Sequence, residues 1–161
     1  MGEKINHEVL GEMEYDYGWT KNIKLKIFGE ERELQVVIDA DEDAVFEIAQ
    51  IESYKKFFLD VNKRINDAEN AVFNYYQEEC SNYRDQFVSE SDKEKFVPEI
   101  TRKEELYNLV TPKQIVFPLV FDDDKREAGF LCDCTWEIEH GLGIKFEDEV
   151  ISEVGFQDIL L

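Results

Sequence analysis

Hydrophobic and polar residues alternate along the first forty residues, which predicts three β-strands in residues 7–16, 19–28 and 31–40. In the second segment Ile23, Leu25 and Ile27 fall on one face, and the intervening positions are polar. Alternation with a period of two is the pattern of a strand with one buried face. The sequence therefore predicts that the chain begins with antiparallel strands.

The hydrophobic period then changes to that of a helix. Residues 44–79 contain no glycine or proline, and their apolar residues recur at steps of three and four. A straight helix of this length would extend about 50 Å at ~1.5 Å per residue, more than a domain of this size spans, so we expect a bend near Asp60–Asn62. The acidic run Asp39–Asp43 is expected to cap the helix. An EF-hand is excluded because Ala44 and Gln50 replace the required glycine and glutamate.

The final third returns to strand patterns. A polar connection and a short helix in residues 101–112 precede strands predicted at 114–120, 126–138, 143–147 and 150–156. Pro118 indicates an edge strand or a bulge in the first of these. Strands, then helices, then strands predict a single α+β domain over residues 1–161. We expect an antiparallel sheet of about six to seven strands, packed against the long, bent helix and the short one.

The densest chemistry lies in residues 132–144. If this stretch continues a strand, one face buries Phe130, Cys132, Cys134, Trp136 and Ile138, and the other exposes Asp133 and Glu137. Zinc would need Cys132, Cys134, His140 and Cys80, but the spacing C-x-C with no second cysteine pair does not favour a zinc site. No metal or other cofactor is expected, and the thiols are interpreted as small buried apolar groups.

Glu139 and His140, followed by Gly141 and Gly143, allow two interpretations. One is a general base beside a flexible loop, as in a small hydrolase. The other is a tight turn between two strands, in which the glycines supply positive φ angles and His140 holds the turn by a hydrogen bond. The turn is the favoured interpretation, because one histidine with scattered acids does not form a catalytic triad.

Net charge is the outlying property of this sequence. There are 38 acidic and 18 basic residues, giving a formal charge of −20 and a pI of about 4.4. Such a surface repels nucleic acids and anionic lipid, and it attracts a basic protein partner. The N-terminus has no basic segment followed by an apolar run, and the cysteines are odd in number, so we expect reduced thiols in a cytoplasmic protein.

Both ends of the chain resemble an uncharacterised bacterial family that carries a W-x-x-E-H-G-x-G pattern followed by V-G-x-Q-D. Here the two parts of this signature fall on Trp136, Glu139, His140, Gly141 and Gly143, and then on Val154, Gly155, Gln157 and Asp158. Some members of that family are small acidic proteins encoded near polymorphic or contact-dependent toxins. The resemblance therefore implies an immunity role, and it brings no catalytic residues with it.

The leading hypothesis is an acidic cytoplasmic binding protein that inhibits a basic toxin domain, such as a nuclease. A hydrolase using Glu139 and His140 and an orphan structural domain are the alternatives. The predicted partner surface is the sheet face away from the helices, formed by Asp122, Asp123, Asp124, Asp133, Glu137 and Glu147.

Overall fold

In the computed structural model, which describes residues 2–120 and 125–161, eight strands form one sheet in the order in which they occur in the sequence. They are β1 (Lys4–His7), β2 (Gly11–Tyr15), β3 (Trp19–Ile27), β4 (Glu30–Ile38), β5 (Val110–Phe117), β6 (Glu127–Cys134), β7 (Leu142–Glu147) and β8 (Val150–Gly155). Helices pack on one face of this sheet. The predicted α+β class is confirmed.

The sheet is mixed, so the prediction of a wholly antiparallel sheet with six to seven strands is wrong. Strands β4 and β5 run parallel, and the other neighbouring pairs are antiparallel. The connection between β4 and β5 contains α1 (Ile48–Leu59), α2 (Val61–Arg84) and α3 (Glu90–Phe96). A helical crossover returns the chain to the same edge in the same direction, which makes the pair parallel. The additional strand arises because residues 4–15 form a hairpin.

The predicted interruption of the long helix is confirmed. Asp60 has non-helical angles (φ −141°, ψ 66°) and separates α1 from α2, and its side chain accepts a hydrogen bond from the Lys63 amide. The acidic run Asp39–Asp43 does not cap the helix as predicted. The N-cap of α1 is Glu47, whose amide donates to Gln50 Oε1 at 2.9 Å.

The prediction of an edge strand or a bulge at Pro118 is wrong. Pro118 follows the end of β5, whereas Pro112 lies inside the strand beside a register shift between Pro112 and Gln114. β5 is a central strand, paired on both sides, so the bulge accommodates a residue that has no amide donor. The short helix predicted for 101–112 is reduced to a 3-10 turn, Lys103–Leu106.

The main core lies between the helices and the sheet. Phe57 of α1 is fully buried, and its ring centroid lies 5.3–5.7 Å from those of Phe117, Phe130 and Phe146 on three strands. Gln50, also buried, donates from Nε2 to the carbonyls of Asp39 (2.7 Å) and Phe117 (3.1 Å). One helix thus fixes the ends of the two parallel strands.

Candidate functional site

The strand that carries the cysteines is shorter than predicted. β6 ends at Cys134, and residues 135–140 form turns. Cys132, Cys134 and Trp136 are buried as predicted, but Ile138 is 84% exposed. The prediction for Ile138 is wrong because alternation between two faces ends with the strand. Glu137 likewise lies in the turn and not on the strand.

The three cysteine thiols are buried and weakly reactive. Burial raises the pKa of Cys132 far above its usual range and raises the pKa of Cys134 to about 12. Burial also raises the pKa of Cys80. Because the thiolate is the reactive and metal-binding form, these groups are poor nucleophiles at neutral pH. Within residues 2–120 and 125–161, no group of three or more histidine, cysteine, aspartate or glutamate side chains is placed to hold a metal ion.

Trp136, the first residue of the signature predicted from the sequence, is a core residue. Its ring lies 4.9 Å from that of Tyr76 and 6.4 Å from that of Tyr83, both on α2. The preceding Thr135 donates from Oγ1 to the carbonyl of Phe96 at 2.6 Å. These contacts attach the turn after β6 to α2 and to the end of α3.

His140 contacts the carboxylate of Glu137 and not that of its sequence neighbour Glu139. Its Nδ1 lies 3.1 Å from Glu137 Oε1, and its ring stacks on Phe156 with centroids 4.7 Å apart. Glu139 is exposed to solvent. Residues 138–140 form a turn, and Gly141 (φ +63°) has the predicted positive φ. The prediction of a positive φ at Gly143 is wrong, because Gly143 lies within β7.

The two parts of the signature contact each other in the folded chain. The side chain of Gln157 donates from Nε2 to the carbonyl of Cys132 (2.8 Å). The backbone amide of Gln157 donates to the carbonyl of His140 (3.0 Å). A Cβ atom added at Gly143 would lie 2.6 Å from the Phe156 carbonyl oxygen, closer than real Cβ contacts. The glycines therefore let the C-terminal segment, residues 156–161, lie directly on β7.

The fold does not bring the described residues of the predicted acidic surface together. Asp122, Asp123 and Asp124 lie outside the described residues. Asp133 is exposed near the end of β6, and Glu147 aligns with the start of that strand, about 20 Å away at ~3.3 Å per residue. Glu147 forms salt bridges with Lys125 (3.0 Å) and Lys145 (3.9 Å). Of the described members, Asp133 is the exposed carboxylate.

The open face of the sheet, opposite the helices, carries a second apolar cluster that was not predicted. It consists of Val37, Val116, Leu131, Ile159 and Leu160. The signal in the sequence was three apolar residues in a row in each central strand, because a strand buried on both faces loses its alternation. The C-terminal 3-10 helix, Gln157–Leu160, supplies the side chains that cover it.

The model of a protein family described as a domain of unknown function (DUF6985) matches residues 9–161. The chain belongs to this family. This match confirms the prediction of an uncharacterised family. No curated protein and no solved structure matches the chain. Among the described residues, no helix combines the length and the apolar character needed to cross a bilayer.

Proposed function

We propose that this chain is an acidic cytoplasmic binding protein that neutralises a basic toxin domain, in the manner of an immunity protein. The observation that carries the proposal is the net charge of −20 on 161 residues. Such a charge exceeds the magnitude of about 2–8 that keeps a small domain soluble. It suits a partner that is itself strongly basic, such as a nuclease domain.

The charge would act first on the rate of association. Complementary surfaces raise association rates from about 10⁵–10⁶ to about 10⁸–10⁹ M⁻¹s⁻¹ at low salt. Speed has value for an inhibitor because free toxin molecules damage nucleic acid before they are captured. An acidic surface opposite a basic nucleic-acid-binding site also suppresses binding of the wrong partners.

The hydrolase alternative receives less support from the geometry. His140 is engaged by Glu137 and Phe156, which together hold a turn. The signature residues Gly143 and Gln157 likewise contact the C-terminal segment or the backbone of β6. These roles account for the signature through packing and hydrogen bonding alone.

The proposal is tested by protection in cells. Candidate basic toxin domains would be expressed in cells with and without this chain. Rescue of growth and co-purification of the two proteins are expected. Growth arrest despite equal amounts of this chain, together with a failure to co-purify, would contradict the proposal.

Asp133 provides a separate test of the predicted acidic surface. Reversal of Asp133 and Glu137 to lysine should lower the association rate and reduce its dependence on salt, because two carboxylates become cations. Reversal of Glu78 and Asp85 to lysine, two exposed positions at the end of α2, is the control with the same change in net charge. Equal rates in the Asp133 and Glu78 variants would place the contact elsewhere on the surface.

A further inference from the structure

The open face of the central strands carries a groove with an apolar floor. Val37 and Val116 are paired in register on β4 and β5, and Leu131 follows on β6. Val116 and Leu131 are 8% and 7% exposed, and Leu160 closes the floor on the side of the C-terminal segment. The groove has a volume of about 1030 Å³. This is the scale of a binding pocket, and it is larger than one side chain requires.

Exposed apolar side chains form the walls of this groove. Tyr17 is 96% exposed, Leu161 is 89% exposed and Leu119 is 38% exposed. Tyr17 has a positive φ of 55°, a conformation uncommon for a bulky residue. Aromatic rings presented to solvent beside an apolar floor are typical of protein interfaces.

The charges around the groove are mainly acidic. Asp16, Asp39 and Glu127 line it, together with a single lysine among its described lining residues, Lys145. That lysine is balanced by two carboxylates, with Nζ lying 3.4 Å from Glu127 Oε1 and 3.9 Å from Glu147 Oε1. The rim therefore favours cationic groups, as the net charge of the chain also does.

We infer that this groove is the docking site for a segment of a basic protein partner, which inserts an apolar or aromatic side chain and places lysine or arginine residues along the acidic rim. The inference rests on the proposed function and specifies the surface and the chemistry of the partner. A second copy of this chain is disfavoured as the occupant, because two molecules of charge −20 repel each other.

The test uses a probe that does not require the toxin. A labelled five-residue peptide with a central tryptophan and two arginines on each side is titrated into the full chain. Two variants of the peptide replace the tryptophan with serine or the arginines with citrulline. Binding is followed by fluorescence anisotropy, and its position is mapped from the amide resonances of Val116 and Leu131.

The first peptide should bind in the groove, and both peptide variants should bind more weakly. Combining Tyr17→Asn, which tolerates the positive φ, with Leu119→Ser should weaken binding about tenfold or more, as expected when an aromatic anchor is lost. Ile138→Ser is the matched control, because Ile138 is 84% exposed and lies outside the groove lining.

Three outcomes would overturn the inference: no binding, equal binding of the serine peptide, or resonance changes that map outside the groove. No binding would mean that the groove does not attract the peptide. Equal binding of the serine peptide would mean that charge alone attracts it. Failure of the proposed function is distinguishable, since it would appear as loss of protection in cells while the peptide still binds in the groove.

Discussion

Replacing Gly143 with alanine should destabilise the protein much more than the same change at Gly155. The two glycines are register partners on β7 and β8, and both belong to the signature predicted from the sequence. An added Cβ at Gly143 meets the Phe156 carbonyl oxygen at 2.6 Å, whereas at Gly155 its nearest neighbour is a side-chain carbon of Ile159 at 3.6 Å. The pair thus isolates close backbone packing from the general effect of adding a methyl group.

The magnitude follows from what the C-terminal segment loses if it lifts from β7. Exposing Leu160, which is 4% exposed in the fold, costs about 1.5–3 kcal/mol. Loss of the Gln157 hydrogen bond to the Cys132 carbonyl costs about 1 kcal/mol. Greater chain freedom in the detached segment offsets part of this total. We expect Gly143→Ala to lower the free energy of unfolding by about 2–3 kcal/mol.

Thermal and urea denaturation measure this difference directly. At about 2–4 °C per kcal/mol for a domain of this size, the Tm of Gly143→Ala should fall by about 4–12 °C. The Tm of Gly155→Ala should stay within about 2 °C of the parent. Amide exchange in residues 157–160 should become faster in the first variant alone. Equal stability of the two variants would refute the packing role assigned to the signature.

Three further predictions follow from buried or capping groups. Asp60→Ala should cost about 0.5–2 kcal/mol in urea denaturation, because the Lys63 amide loses its cap, and Asp60→Asn should recover most of it. Glu69→Ala should cost about 1–3 kcal/mol, since the buried carboxylate accepts the Phe28 amide at 2.8 Å, whereas exposed Glu78→Ala should be near neutral. The three cysteines should resist a thiol reagent at pH 8 in the native state and react in urea, because burial raises each thiol pKa; rapid native labelling would contradict this.

Local patterns in the sequence predicted the elements better than their pairing. The interruption at Asp60 was predictable because a helix from residue 44 to 79 is longer than the domain. The parallel pairing of β4 with β5 was not predictable from alternation, since both directions bury the same side chains. It depends on the helices returning the chain to one edge, which is a tertiary property.

At the candidate site, too, the features set by local pattern were predicted and those set by distant segments were not. Burial of Cys132 and Cys134 followed from alternation, but Ile138 did not, because nothing in the local pattern marks the end of β6 at Cys134. The groove was missed because its floor combines single residues from separate strands with Leu160 of the C-terminal segment. Distant segments of the chain supply that surface, so no window of the sequence contains it.

The single parallel pairing described here has a consequence for how the chain folds. Each half of the sheet is a meander of four neighbouring strands, so its contacts are local and can form early. Joining the halves must close the connection from Ile38 to Val110, and the entropic cost of such a loop grows only as about (3/2)RT ln n. Gln50 bridges the two halves as that connection closes. Because early contacts are present in the transition state, substitutions that weaken either meander should mainly slow refolding, whereas loss of the Gln50 bridge, which is completed later, should mainly speed unfolding.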